Sequence, residues 1–411
     1  MELPASVEAA KHVLWLMAII LAAGTAFGVL ARKLRAPDVA VFLIAGILLG
    51  PSCAGLVDVK ADSALNQLVL IFGACYILFD GGASLRLNVL RDVWITIVVL
   101  ATAGVLITAA ITGLAAWYFL GIPFIAALLL AAAIASTDPA TLVPVFRQIR
   151  IRDRVAQTVM SESAFNDATG AIVTFAVLAV ATGKTDFSFA ASLLDLAKQA
   201  GFGLLVGLAL GYLAAVLIAH ERFGFLEEYA PVVSLMAVIG AYLGADGVDA
   251  SGFMAVFVFG IVLGNKDALG FATSAGEQEK LQDFVATTAL IMRMFIFILL
   301  GAQVDFGLMA RYLGGGLAVV AVFMLVARPV TVFLCALPDR RARWTRNELL
   351  FMCWTRETGV IPGALAGLLM GMGAPQARVI ASVTFLAILA TILIQVTTTR
   401  WVAARLGLLK E

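Results

Sequence analysis

Charge is scarce in this chain: Asp, Glu, Lys and Arg together make up 13% of 411 residues, while hydrophobic residues make up 62%. A mean hydropathy of +1.02 accompanies that scarcity. Both exclude an ordinary soluble domain, in which about a quarter of residues are charged. Histidine is rarer still. With only His12 and His220 present, the His-Glu-x-x-His pattern of a membrane zinc protease is excluded. An intramembrane aspartyl protease wants a Tyr-Asp string and a Gly-x-Gly-Asp string, and neither occurs. Cys53, Cys75, Cys335 and Cys353 lack metal-ligand spacing and read as small hydrophobes without a redox role. A formal net charge of +1 points to no nucleic acid or other acidic partner.

What is present is a series of apolar runs. Windows between charged or turn-rich breaks fall near 12–31, 37–53, 64–82, 92–120, 122–147, 155–182 and a long 188–219. They continue at 229–244, 250–264, 282–304, 306–337, 347–372 and 377–404, thirteen in all. Most are long enough to cross about 30 Å of hydrocarbon as helices. The expected fold is an all-α polytopic membrane protein with no separate soluble domain. The first run lacks a cleavage pattern and is followed by basic residues, so it reads as a retained span rather than a signal peptide.

Basic residues accumulate in cytoplasmic loops. Alternate loops hold nineteen of them, among them Arg147, Arg150, Arg152, Arg154, Arg340, Arg341, Arg343 and Arg346, against six in the opposite loops. This places the N-terminus outside and the C-terminus in the cytoplasm. Arg293, Arg328 and Arg356 remain, each inside an apolar segment, and Arg293 receives no role.

An odd count with a long seventh segment suggests two inverted six-helix repeats joined by a linker helix, a plan common among secondary transporters. The fifth and twelfth segments then correspond, and both are interrupted: "STDPATLVP" in one, "TRETGVIPG" in the other. Paired broken helices at matching positions point to a transport site. Pro139 predicts that the helix opens near Thr137 and frees carbonyl oxygens, with Gly359 and Pro362 doing the same in the partner segment. In the linker, Gly203, Gly207 and Gly211 have the spacing that allows close helix packing.

The sixth segment contains "SESAFNDATG". Residues four apart share a helix face, which sets Ser163 beside Asp167 and Glu162 beside Asn166. An ionisable side chain at such depth costs at least about 2.5 to 3.5 kcal/mol, so each one needs a reason. Arg356 is the expected structural partner of Glu162. Asp138 and Asp167, with Asp80 in "YILFDGG", leave acid in excess. A carboxylate without a cationic partner in a low dielectric takes a proton or a cation, and not both. That exclusion is a mechanism of exchange. Oxygen ligands suit a hard ion, Na⁺, Li⁺ or K⁺. A sodium-coupled solute symporter on a similar inverted-repeat plan is the other reading. No enzyme activity and no cofactor are expected.

The sequence resembles the monovalent cation/proton antiporters, in particular the sodium/proton exchanger branch of NhaP-like type. The likeness runs through "PDVAVFLIAGILLGPS", "LFDGG", "STDPA", "ESAFND", "ARPVTVFL" and "TRETGVIPGALA". It implies scaffold and dimerisation helices in 1–87 and 221–305, core transport helices in 88–186 and 306–411, and a linker helix in 187–220. It implies that Asp167 carries the cation or proton, that Thr137, Ser163 and Asp80 supply further ligands, and that Asp138 supports the broken helix. Asn166 marks the branch expected to exchange one cation for one proton. Glu162 with Arg356 resembles the structural ion pair, and Arg328 a second buried arginine. A homodimer in a bacterial inner membrane is expected, with the lipid bilayer and the exchanged ions as its partners. Position 80 carries Asp where that branch carries Glu, and Glu357 stands beside Arg356.

Overall fold

In hydrocarbon the helix lets each apolar segment satisfy its own N–H and C=O groups, and this chain uses it throughout. The computed structural model describes residues 5–34, 37–137, 146, 151–183, 189–219, 225–271 and 274–409. The helices of the first part are α1 (Ala5–Leu34), α2 (Asp38–Leu49), α3 (Ala64–Ala83), α4 (Leu87–Ala101), α5 (Ala103–Leu120), α6 (Phe124–Ile134) and α7 (Asp153–Ala181). They are followed by α8 (Phe189–Ala219), α9 (Ala230–Asp246), α10 (Gly252–Gly264), α11 (Ala275–Ala302) and α12 (Phe306–Val322). The last are α13 (Arg328–Ala336), α14 (Arg346–Trp354), α15 (Val360–Gly371), α16 (Ala377–Thr391) and α17 (Thr397–Arg405).

Among the described residues nine helices are long and apolar enough to cross a membrane, and α2, α6, α10 and α15 are shorter apolar helices. Large apolar side chains such as Leu14, Trp15, Leu205, Tyr212 and Leu243 face outward. Such a surface suits lipid, not water.

Two sets of helices are recognisable from their packing. In one, α2, α3, α9, α10 and α11 pack together with α8 along α10. In the other, α4 lies on α7, α6 on α5 and α7, and α12 on α5 and α16. The sets meet where α7 touches α10 and α15 touches α3 and α11. Close approach within the first set depends on glycine. A methyl at Gly207 of α8 would lie 2.4 Å from the Ala255 carbonyl oxygen of α10. Gly203 and Gly211 face the same helix, so this stripe packs inside the chain.

The breaks in the helices matter more than the helices. Segment 92–120 divides at Thr102 into α4 and α5. Segment 122–147 begins as α6 and stops at Ile134, leaving Thr137 outside the helix. Segment 347–372 becomes α14 and α15, separated by Thr355–Gly359. Here the break lies upstream of the expected place. Pro362 sits in the first turn of α15, where a missing N–H costs nothing, and Gly359 caps that helix. Two π-helical turns, Phe323–Ala327 and Ile392–Val396, interrupt the segments that precede and follow the second break in the chain.

Candidate cation site at two broken helices

The first break is stitched to α7. The Thr137 N–H donates to Asn166 Oδ1 at 2.9 Å, its hydroxyl donates to Ser163 Oγ at 2.6 Å, and Asn166 Nδ2 donates back to Thr137 Oγ1 at 2.9 Å. Asp167 is the next residue along α7. All four side chains are buried, Asp167 to 2% exposure. Ser163 and Asn166, three apart, turn to Thr137, while Glu162 turns elsewhere.

Glu162 pairs with Arg328, which corrects the expectation of Arg356. The guanidinium grips both carboxylate oxygens, Nη2 to Oε2 at 2.9 Å and Nη1 to Oε1. It also donates from Nε to the Met352 carbonyl at 2.8 Å and from Nη2 to the Thr355 carbonyl at 3.3 Å. Both carbonyls belong to the C-terminal end of α14, where a positive charge is favoured by the helix dipole. The two ions are each 1% exposed, and these extra bonds supply what a buried pair requires.

Arg356 instead reaches across to the first break. It donates to the Ala135 carbonyl at the end of α6, and its guanidinium lies 4.7 Å from the centre of the Phe323 ring. Each half-helix that ends at a break therefore has an arginine on its last carbonyls, supplied by another element. The second break is further tied to α16 and its π turn. Thr391 accepts the Thr358 N–H at 3.1 Å, and Gln395 donates to the Trp354 carbonyl at 2.6 Å. Glu357 lies fully buried in this break.

Asp80 stands apart in sequence and element, half-buried in the last turn of α3, a helix that packs on α7. Asp138 and Pro139 lie outside the described residues. The side chains that sequence reasoning missed are Phe323, Thr391 and Gln395. Thr391 and Gln395 carried a signal, being polar groups in an otherwise apolar segment. Phe323 carried none, because its role depends on the π turn.

Away from the bilayer, Asp339 anchors the loop between α13 and α14. Burial opposes its charge, but the Thr96 hydroxyl at 2.6 Å and the N–H groups of Arg341 and Ala342 at 3.0 and 3.2 Å outweigh it. Its carboxyl is held below the usual value. Arg154 at the start of α7 reaches the same loop, donating to the Ala342 carbonyl at 2.7 Å and lying 4.3 Å from the centre of the Trp344 ring.

Two hydroxyls and an amide meet at the unwound backbone, and the next residue along α7 is a buried carboxylate. Known proteins are similar to the chain in sequence and in fold. Na(+)/H(+) antiporter 1 of Methanocaldococcus jannaschii is 33% identical over 360 residues, 85% of this chain and 81% of the relative. The solved structure of the sodium proton antiporter MjNhaP1 from that organism at pH 8 superposes with a TM-score of 0.84 at 28% identity, covering 97% of this chain and 99% of the other. The K(+)/H(+) antiporter NhaP of Alkalimonas amylolytica is 29% identical over 89% of this chain and 62% of its own length. Residues 17–405 match the family described as sodium/hydrogen exchanger, transmembrane, and the chain belongs to that family.

Proposed function

We propose that this protein exchanges a monovalent cation for H⁺ across a membrane, with Na⁺ the first candidate and Li⁺ and K⁺ the others. Asp167 is the seat that either ion occupies. The observation that carries the reading is the buried knot of Thr137, Ser163 and Asn166, which fixes unwound backbone one residue from that carboxylate. An empty ionised seat is costly in low dielectric, so each crossing carries one ion or the other. Thr137, Ser163 and Asp80 act as further oxygen ligands, Asp138 as the supporting acid of the broken helix, and Asn166 holds the break in place. One cation moves per proton.

The packing of helices in two sets supports a moving core (88–186 and 306–411) against a scaffold and dimerisation unit (1–87 and 221–305), linked by 187–220. Four short apolar helices beside nine long ones support thirteen crossings in two inverted repeats. The basic loops support a cytoplasmic C-terminus, and we place the protein as a homodimer in a bacterial inner membrane. A sodium-coupled symporter is not favoured, since the named relatives are antiporters.

Purified protein in liposomes with an imposed pH gradient tests the reading. Adding Na⁺, Li⁺ or K⁺ separately collapses the gradient for at least one ion, and Asp167→Ala abolishes this. No response to any monovalent cation ends the proposal.

A further inference from the structure

Aromatic rings join α7 to α10 on both sides of the level of Asp167 along α7. Phe165 meets Phe257 edge to face, centroids 4.8 Å apart. Further along, Phe175 stacks on Phe253 at 6.2 Å with the planes 10° apart, and Tyr242 of α9 meets Phe253 edge-on at 5.4 Å. Asp167, Ala171 and Phe175 are successive four-residue neighbours on α7, which sets the second pair about 12 Å beyond the carboxylate. Ala171, between them, is fully buried.

Beyond this point a cavity of about 780 Å³ opens between α7, α8, α9 and α10. Its lining runs from Ile172 and Phe175 up to Thr182, Gln199, Asp246 and Ser251. The mouth is at the end of α7 opposite Arg152 and Arg154. The polar groups gather at the mouth, and apolar rings lie toward the carboxylate.

We propose that Phe175 and Phe253, backed by Tyr242, form a gate between this vestibule and the ion seat at Asp167. Three features support it. The pair joins two helices from different packing sets, so relative motion of those sets must open or slide it. It is held by ring contact, with no hydrogen bond or ion pair across it to be broken at each cycle. An apolar constriction excludes water and ions until it widens. The inference rests on Asp167 being the seat, but its test needs no transport.

The test is labelling of an Ala171→Cys protein by an impermeant thiol reagent supplied from the vestibule side. The background carries Cys53→Ser and Cys353→Ser, because those two thiols are not fully buried. With both rings present labelling is slow. Phe175→Ala or Phe253→Ala raises the rate at least about tenfold, and Phe175→Leu, which keeps apolar bulk, raises it less. Thr182→Cys at the mouth labels quickly in every background and reports reagent access, and an unchanged melting temperature in detergent verifies folded protein. Equal labelling of Ala171→Cys with and without the rings, at normal Thr182→Cys labelling, overturns the gate. If the alanine variants melt at a lower temperature, the Phe175→Leu comparison decides in the same way. Loss of exchange with the labelling pattern intact counts against the seat and leaves the gate standing.

Discussion

Two crossings are interrupted, one after α6 and one between α14 and α15, and they differ in what holds them. The break after α6 is tied to α7 by neutral groups, with Thr137 between Ser163 and Asn166 and a buried acid next in line. The break between α14 and α15 is tied by arginine, by Thr391 and by Gln395. At the first, Arg356 reaches only the Ala135 carbonyl that ends α6, and neutral groups hold Thr137. At the second, Arg328 holds the Met352 and Thr355 carbonyls, and Glu162 absorbs its charge. The difference teaches that one interruption can be left to neutral groups beside an acid, the place proposed to bind, while a paired arginine braces the other.

The largest expected effect comes from the brace. Glu162→Gln leaves Arg328 charged and unpaired in the interior, a loss of about 3 to 5 kcal/mol for such a change, seen as a much lower melting temperature in detergent. Pairing Glu162→Leu with Arg328→Met recovers much of it, whereas Glu162→Leu with Arg356→Met gives additive losses. Strong coupling to Arg356 instead would undo the assignment.

A middling effect separates the two breaks directly. Thr137→Val strips two buried partners of a hydroxyl, worth about 1 to 3 kcal/mol, and raises the half-saturating cation concentration by roughly tenfold. Gln395→Leu lowers the melting temperature by about 2 to 4 °C and leaves half-saturation within about twofold. Equal shifts in half-saturation for both would erase the division between binding and bracing.

The smallest effect lies outside the bilayer. Asp339 is held below its ordinary value near 3.9 by the Thr96 hydroxyl and two backbone N–H groups. A depressed carboxylate contributes stability that is complete above the unfolded value and lost as pH falls through the folded one. The melting-temperature gap between wild type and Asp339→Asn therefore stays constant from pH 7 to about 5 and narrows below about 4. A gap that widens in acid would contradict the geometry.

Much of this was legible in the residues. Pro139 announced the first opening, and four polar side chains in one apolar run announced the helix that faces it. The spacing of glycines in α8 announced its tight contact with α10. Other features depend on choices that the string does not make. Two buried arginines were open to Glu162, and only the position of α13 selects Arg328. Pro362 looked like a breaker, yet a proline in a first turn is compatible with the helix, so the opening moved upstream to Thr355–Gly359. Neither Thr102 nor the second π turn carries a residue that marks it, whereas the first π turn is followed by Pro329, whose missing N–H frees a carbonyl in that turn.

Proton release on cation binding tests the central claim most directly. Weakly buffered, detergent-solubilised protein is titrated with Na⁺, and with K⁺ in parallel, while pH and bound ion are followed together. A shared seat releases close to one proton for each cation bound, and Asp167→Asn releases none. Cation binding without proton release, or undiminished release from the Asp167→Asn protein, would show that the two ions do not compete for this carboxylate.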